Sequence, residues 1–358
     1  MRRVQGLRRI RARRVAVAAV LVLGLFPAGA QAFSKAIWGP AYRHGRNQFP
    51  LYRKLGVRIY EVSLNWATVA PQRPRNGKNP RDPAYRWPAT VRQEINLAHR
   101  YHMQVLMQLI FAPRWANHGH AANVPPTTPA IYGNFAKAAA REYRGVHLWM
   151  VWGEPDRTAN FSLTRTVASG RRLNAAQKRA PHLYARLIDC AYGSLKAVSK
   201  RNLVIGGSTF STGNTVTQQW IENLRLPSGR PPRMDMYAHN PFSAKAPNFS
   251  DPASPFGVVQ FSDLPELARW IDRYLHRGMR IFLSEFTIPT KPDGEFNFYV
   301  DPEVAGRWTA GALRLSRRWK RIYALGWIHV YDAPPLSYGG LLTAQGKPKP
   351  SFYAFEYG

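Results

Sequence analysis

Leu148-Trp149-Met150-Val151-Trp152-Gly153-Glu154-Pro155 decides how the rest of the chain reads. Five apolar residues with no polar alternation suit a strand buried on both faces. A glycine, an acid and a proline then end it. Further on, Leu183, Leu187, Cys190, Ala191, Leu195 and Val198 fall on one face of a helix over residues 183–199. A buried strand, a loop that starts with an acid, and an amphipathic helix make one module.

The module recurs along the chain. Strand-like apolar runs lie at 35–38, 58–64, 104–111, 147–152, 203–207, 234–239, 280–286 and 323–331, with helix-period segments at 89–101, 129–143, 183–199, 264–277 and 302–318. Short buried strands alternating with amphipathic helices imply a parallel sheet covered by helices. Eight such strands within residues 33–358 fit an α/β fold of one domain, a closed (β/α)8 barrel with decorated βα loops. An open doubly wound sheet would carry a glycine-rich phosphate turn after its first strand, and Ile37-Trp38-Gly39-Pro40-Ala41 has none.

Composition narrows the class. The chain has 358 residues, 45% of them hydrophobic, so it is not intrinsically disordered. Its single cysteine, Cys190, excludes a disulfide framework and a thiolate metal cluster. Residues 1–14 carry seven arginines and no acid, Val15 to Phe26 are apolar apart from Gly24, and Ala28-Gly29-Ala30-Gln31-Ala32 follows Pro27. A basic start, a short apolar middle and an A-x-A site describe a secretory signal over residues 1–32, and hence an exported or cell-envelope protein. The alternative is a retained anchor, for which the apolar run is short of the roughly 20 residues that span a bilayer. Loss of those seven arginines takes the net charge from +31 to +24. The excess is spread along the chain without a nucleic-acid-reading motif, so the expectation is a monomer that binds no nucleic acid and associates electrostatically with anionic envelope polymers.

Strand ends are where a barrel does chemistry. The fourth strand runs into Glu154, and the seventh, Ile281-Phe282-Leu283-Ser284-Glu285-Phe286, runs into Glu285. An ionised carboxylate beside a buried run is costly unless it has a partner or a task. Either acid alone reads equally as a structural ion pair. Together at one barrel mouth they suit a retaining glycosidase, in which one carboxylate attacks the anomeric carbon and the other protonates the leaving oxygen.

Val151-Trp152-Gly153-Glu154-Pro155 resembles the W-N-E-P box of the clan A glycoside hydrolases, and Leu283-Ser284-Glu285-Phe286 resembles their strand-seven T-E-F box. Met234-Asp235-Met236-Tyr237-Ala238-His239-Asn240-Pro241, Gly326-Trp327, and the tail from Gly340-Leu341-Leu342 through Gly346-Lys347-Pro348-Lys349-Pro350 are similar to further segments of the same superfamily, in the same order. The resemblance implies a retaining (β/α)8 glycosidase that acts on an oligo- or polysaccharide without cofactor or metal. It makes Glu154 the general acid/base and Glu285 the nucleophile, with His239, Asn240 and Trp327 around the reacting sugar. Three positions depart from the pattern: Gly153 stands where the superfamily has Asn, Phe242 where it often has Tyr, and Glu61 near the place of a strand-two Arg. These departures keep a second reading open, a carbohydrate-binding pseudoenzyme on the same barrel.

Trp66 and Trp115, also near strand ends, are candidate stacking platforms for pyranose rings, with core packing as the alternative. His118 and His120 have the spacing of metal ligands but no third ligand nearby. Asp156 reads as a cap, Glu61 as an ion-pair member or third acid, and Asp332 as a sugar contact or a loop cap. No G-x-S-x-G elbow precedes a helix, so serine-hydrolase chemistry lacks its signature.

Overall fold

Parallel strands β1 (Ser34–Trp38), β2 (Val57–Asn65), β3 (Gln104–Ile110), β4 (Leu148–Val151), β5 (Leu203–Phe210), β6 (Met236–Asn240), β7 (Arg280–Phe286) and β8 (Ile322–Trp327) close into a ring in the order β1-β8-β7-β6-β5-β4-β3-β2. The closing seam pairs Ser34 with Ala324 and Ile37 with Trp327. This computed structural model describes residues 33–167 and 170–358, so the export signal read at 1–32 lies outside the described residues. Each strand is followed by a helix: α1 (Phe49–Lys54), α2 (Ala89–Arg100), α3 (Pro129–Glu142), α4 (Ala175–Val198), α5 (Thr217–Glu222), α6 (Leu264–Tyr274), α7 (Pro302–Arg318) and α8 (Pro350–Tyr357). The architecture is the expected (β/α)8 barrel. None of the helices among the described residues is long and apolar enough to cross a membrane.

The parity of each strand sorts its side chains into two cores. Ala36, Ile59, Leu106, Leu148, Met150, Ile205, Met236, Ala238, Phe282 and Ala324 fill the barrel interior. Their neighbours in sequence, such as Trp149, Tyr237, Leu283 and Leu325, face the helix layer. Element limits differ from the sequence reading mainly at two places. Helix α4 begins at Ala175, eight residues ahead of the first apolar-periodic position, because Asn174 and Gln177 form a reciprocal capping box. Strand β8 stops at Trp327, and Ile328 to Tyr331 belong to the loop after it.

The tail segment that the sequence singled out closes this end of the barrel. Lys349 is buried and donates from Nζ to Asp332 (2.9 Å) and to the Tyr338 carbonyl (2.7 Å), while its backbone N–H donates to the Leu341 carbonyl. Asp332 also accepts from the Gly340 N–H, as the loop-cap reading expects.

Gly326 shows how tightly β7, β8 and β2 meet inside the mouth. A Cβ there would overlap the Ser284 carbonyl oxygen and Glu61 Oε1. One of those obstacles is backbone, so it cannot swing away. Gly326→Ala is expected to cost about 1–3 kcal/mol and to lower the thermal midpoint. An unchanged midpoint in a thermal melt would show that the strands are not in this contact.

Candidate active site

Glu154 stands one turn past the end of β4, in a left-handed conformation (φ 42°) with Trp152 likewise left-handed (φ 63°). Such backbone is strained for non-glycine residues and persists only where the surroundings enforce it. Here the Trp152 indole donates to the Asn160 carbonyl at 2.8 Å, and Asp156, fully buried, accepts the Phe210 N–H from β5. The loop thus pinned aims Glu154 over the barrel. Its Oε2 accepts from Arg157 Nη1 (2.7 Å) and Asn160 Nδ2 (3.1 Å), and its Oε1 accepts from Asn240 Nδ2 (3.0 Å). The Arg157 guanidinium in turn lies 4.3 Å from the centroid of the Phe210 ring.

Glu285 reaches the same place by a different device. Phe282 faces the barrel interior, so strict alternation would put Ser284 inside and Glu285 among the helices. The pairing of β7 with β8 slips between Leu283–Leu325 and Phe286–Trp327, where three residues of β7 span two of β8. A bulge of this kind re-aims a side chain. It brings Glu285 to the wall of the hollow that also holds Glu154. Burial pushes the Glu285 carboxyl well above the ordinary carboxylate range, and the Glu154 charge pushes in the same direction; Arg157 and the Asn240 amide oppose them.

Below this pair lies a third carboxyl. Glu61 is buried inside the barrel, accepts Ser284 Oγ at 2.8 Å, and leaves Oε1 without a hydrogen-bond partner. Burial holds it well above the ordinary range, with Glu285 adding to the effect. Of the two sequence readings of Glu61, the ion pair with an arginine is not what the structure has. Gly153 has a structural reason too: Gln108 of β3, held by Ser63, places its Nε2 only 2.7 Å from where a Cβ would stand. An amide side chain therefore occupies the neighbourhood of residue 153, supplied by the adjacent strand.

The two glutamates line a cavity of about 550 Å³ together with Arg157, Phe210, Phe242, Glu295, Phe296 and His329. Two neighbouring hollows extend it. One of about 520 Å³ shares Arg157, Phe210, Phe242, Glu295 and Phe296, and one of about 460 Å³ shares His329 and Ala333 and runs towards Trp38 and Tyr42. The result is a cleft that passes to both sides of the carboxylates. One wall is a row of mutually tilted phenylalanines, with centroids 5.2 Å apart for Phe210–Phe242 and 4.7 Å for Phe242–Phe296. On the rim, His329 Nε2 contacts Glu295 Oε2 at 2.7 Å.

Of the residues expected around a sugar, Asn240 is at the site and four are elsewhere. His239 is fully buried on the helix side of β6, because the interior parity of Met236 and Ala238 belongs to Asn240. Its ring nitrogens meet Thr209 Oγ1 (2.9 Å) and the Val259 carbonyl (3.0 Å), and burial pushes its pKa down to about 4. Trp327 has the helix-side parity of Leu325; it is 0% exposed, donates to the Gly339 carbonyl, and packs on Phe286 and Phe355. Trp66 is 1% exposed and stacked on Phe135. Trp115 lies edge-on to Trp66 and donates to the Ala70 carbonyl. None of these four lines the glutamate cavity. Among the described residues no group of three His, Cys, Asp or Glu side chains is placed to hold a metal ion. The sequence reading missed Arg157, Asn160, Phe210, Glu295, Phe296 and His329. Arg157 and Asn160 had a signal in their spacing, three and six residues after Glu154; Phe210 ends β5 beyond the apolar run read there, and Glu295, Phe296 and His329 come from loops whose paths have no sequence period.

No family model matches the chain, and no curated protein matches it by sequence. Among solved structures it is similar to a family 39 glycoside hydrolase from Bacteroides cellulosilyticus (17% identity, TM-score 0.63, over 92% of this chain and 63% of that one). It is also similar to a glucosidase from Croceicoccus marinus (13%, TM-score 0.65, 91% and 67%) and to a family 39 β-xylosidase from Caulobacter crescentus (16%, TM-score 0.62, 92% and 71%). At these identities the likeness is one of fold. The chain spans about two thirds of the length of these structures.

The buried carboxyl of Glu61 sets a sign for stability. A carboxyl whose folded pKa lies above its unfolded value contributes stability below the unfolded value, and that contribution is lost as pH rises through the folded one. Glu61→Gln, neutral at every pH, should remove this loss. The variant's thermal midpoint is expected to exceed that of the parent at pH 8 by more than at pH 5. Parallel midpoint-versus-pH curves for the two proteins would show that Glu61 does not titrate in this way.

Proposed function

We propose that residues 33–358 form a retaining glycoside hydrolase that cleaves O-glycosidic bonds of an oligo- or polysaccharide. The observation that carries this reading is the shared cavity: two glutamates, from the ends of β4 and β7, sit in one cleft with contrasting surroundings. In the proposed reaction Glu285 attacks the anomeric carbon while Glu154 gives a proton to the leaving oxygen. A glycosyl ester on Glu285 results. Water, deprotonated by Glu154, then attacks the same carbon and releases Glu285. The cleft on both sides of the carboxylates suits a chain longer than one sugar. The structures of similar fold are described as a glucosidase and a β-xylosidase, so glucosides and xylosides are the first substrates to try. Export by the segment at residues 1–32 completes the proposal and suits an extracellular or envelope glycan.

Arg157, Asn160 and Asn240 all donate to Glu154, whereas burial favours the protonated form of Glu285. Attack needs Glu285 ionised, and Asn240, which meets Glu154 and also acts on Glu285, lies between the two groups whose charges must change.

A second reading, a carbohydrate-binding protein without turnover, is favoured by one observation. Phe242 and Glu61 give Glu285 no hydroxyl or cationic partner where the superfamily pattern has Tyr and Arg. The two readings separate in a kinetic test. Glu285→Gln is expected to abolish hydrolysis in a folded protein, and azide is expected to rescue Glu154→Ala by forming a glycosyl azide of unchanged anomeric configuration. For the parent enzyme, kcat/KM should rise with pH above the usual carboxylate range, because Glu285 must lose its proton before it can attack. Hydrolysis by Glu285→Gln, or an inverted azide product, contradicts the mechanism.

A further inference from the structure

A larger cavity, of about 890 Å³, opens next to the cleft and plays no part in the reaction above. Its walls come from the loop between β3 and α3, from α4, and from the segment after α5. Leu163, Leu183 and Leu226 give it an apolar floor. Its rim is cationic. Arg179, His182 and Arg186 rise from α4 at spacings of three and four residues, which puts them on one face. Arg225 faces them, and His118 and His120 lie on the β3 side. Among the described residues no Asp or Glu lines this cavity.

Two of the cations here are not spent on the fold. Arg179 and Arg186 are exposed, and neither side chain has an ion pair or hydrogen bond among the described residues. Arg225 donates to the Leu224 carbonyl and lies near the Tyr274 ring, and Glu222 is the acid acting on it. Burial, Lys178, Arg186 and Arg225 all disfavour a charge on His182. Like charges gathered over an apolar floor repel one another until an anion joins them, and guanidinium forks match carboxylate and sulfate oxygens. The volume is that of a pocket for a ligand of several rings.

The position of the cavity says which anion. A single loop divides it from the cleft: Asn160 donates to Glu154 on one side, and three residues later Leu163 lines the cavity on the other. The same loop is tied to the β3 loop by the Ser162 N–H on the Asn123 carbonyl and by Asn123 Nδ2 on the Ala159 carbonyl. We propose that this cavity is a binding site for an acidic oligosaccharide, whose carboxylate or sulfate-ester groups are held by Arg179, Arg186 and Arg225. The glycan part of this assignment rests on the hydrolase reading; the anionic part rests on the cavity alone. It gives the enzyme a means of capturing charged polysaccharide beside the cleft.

Calorimetric titration of the protein with a galacturonic acid tetramer, a sulfated disaccharide, cellotetraose and inorganic sulfate tests the proposal. Titrating Glu285→Gln in parallel separates binding from turnover. One or both acidic sugars should bind, cellotetraose should not bind at this site, and inorganic sulfate should compete only weakly. The double variant Arg179→Ala/Arg186→Ala should weaken acidic-sugar binding at least tenfold. Arg314→Ala/Arg318→Ala, which removes the same charge from α7, should change it less than twofold. Equal weakening by the two double variants would mean diffuse charge and overturn the site. Sulfate binding as tight as that of the acidic sugars would overturn the glycan assignment. Arginine-dependent binding in a protein that hydrolyses no glycoside would uphold the cavity and reject the hydrolase reading; hydrolysis of neutral glycosides without acidic-sugar binding would do the reverse.

Discussion

Closure of the sheet is the constraint on which the site depends. The parallel seam from Ser34–Ala324 to Ile37–Trp327 completes the ring, and only in a ring do β4 and β7 end over one hollow. They stand three places apart, with β6 and β5 between them, so Asn240 at the end of β6 falls between the two carboxylates. The bulge at Ser284–Glu285 matters because ring geometry alone would leave Glu285 on the helix side. Closure sets the distance scale, and the bulge and the left-handed turn at Glu154 set the aim.

Burying acid groups is expensive, and this barrel does so fully at Glu61 and Asp156 and partly at Glu285, with only one guanidinium, that of Arg157, in the glutamate cavity. Each is held above the ordinary carboxylate range, chiefly by burial. Asp156 offsets its cost with the Phe210 N–H, which its two oxygens share, and Glu61 with the Ser284 hydroxyl. Glu285 has the Arg157 charge and the Asn240 amide against its burial, and it alone of the three lines the open cleft. A perturbed acid in a cleft is a candidate working group.

The barrel was legible in the sequence because its strands are apolar on both faces and its helices are not. The acids at 154 and 285 stood out because 20 Asp and Glu in the whole chain leave few beside buried runs. Side-chain direction was harder to read. His239 and Trp327 sit near the strand ends as expected, but one residue of parity sends each to the helix layer. For Glu285 the reverse holds, since an unseen bulge brings it inward. Trp66 and Trp115 could not be told from core residues; Trp66 is one, and Trp115 packs half-buried against it. The phenylalanine wall and the Glu295–His329 contact depend on loop paths that carry no periodic signal.

The central claim is that Glu285 becomes covalently attached to sugar. The most direct measurement is incubation with 2-deoxy-2-fluoro glycosides bearing a good leaving group, followed by peptide mass spectrometry. The account expects time-dependent inactivation and a fluoroglycosyl ester on Glu285, absent from the Glu285→Gln protein. Reversible binding with no adduct, or an adduct on a residue outside the cleft, would contradict it.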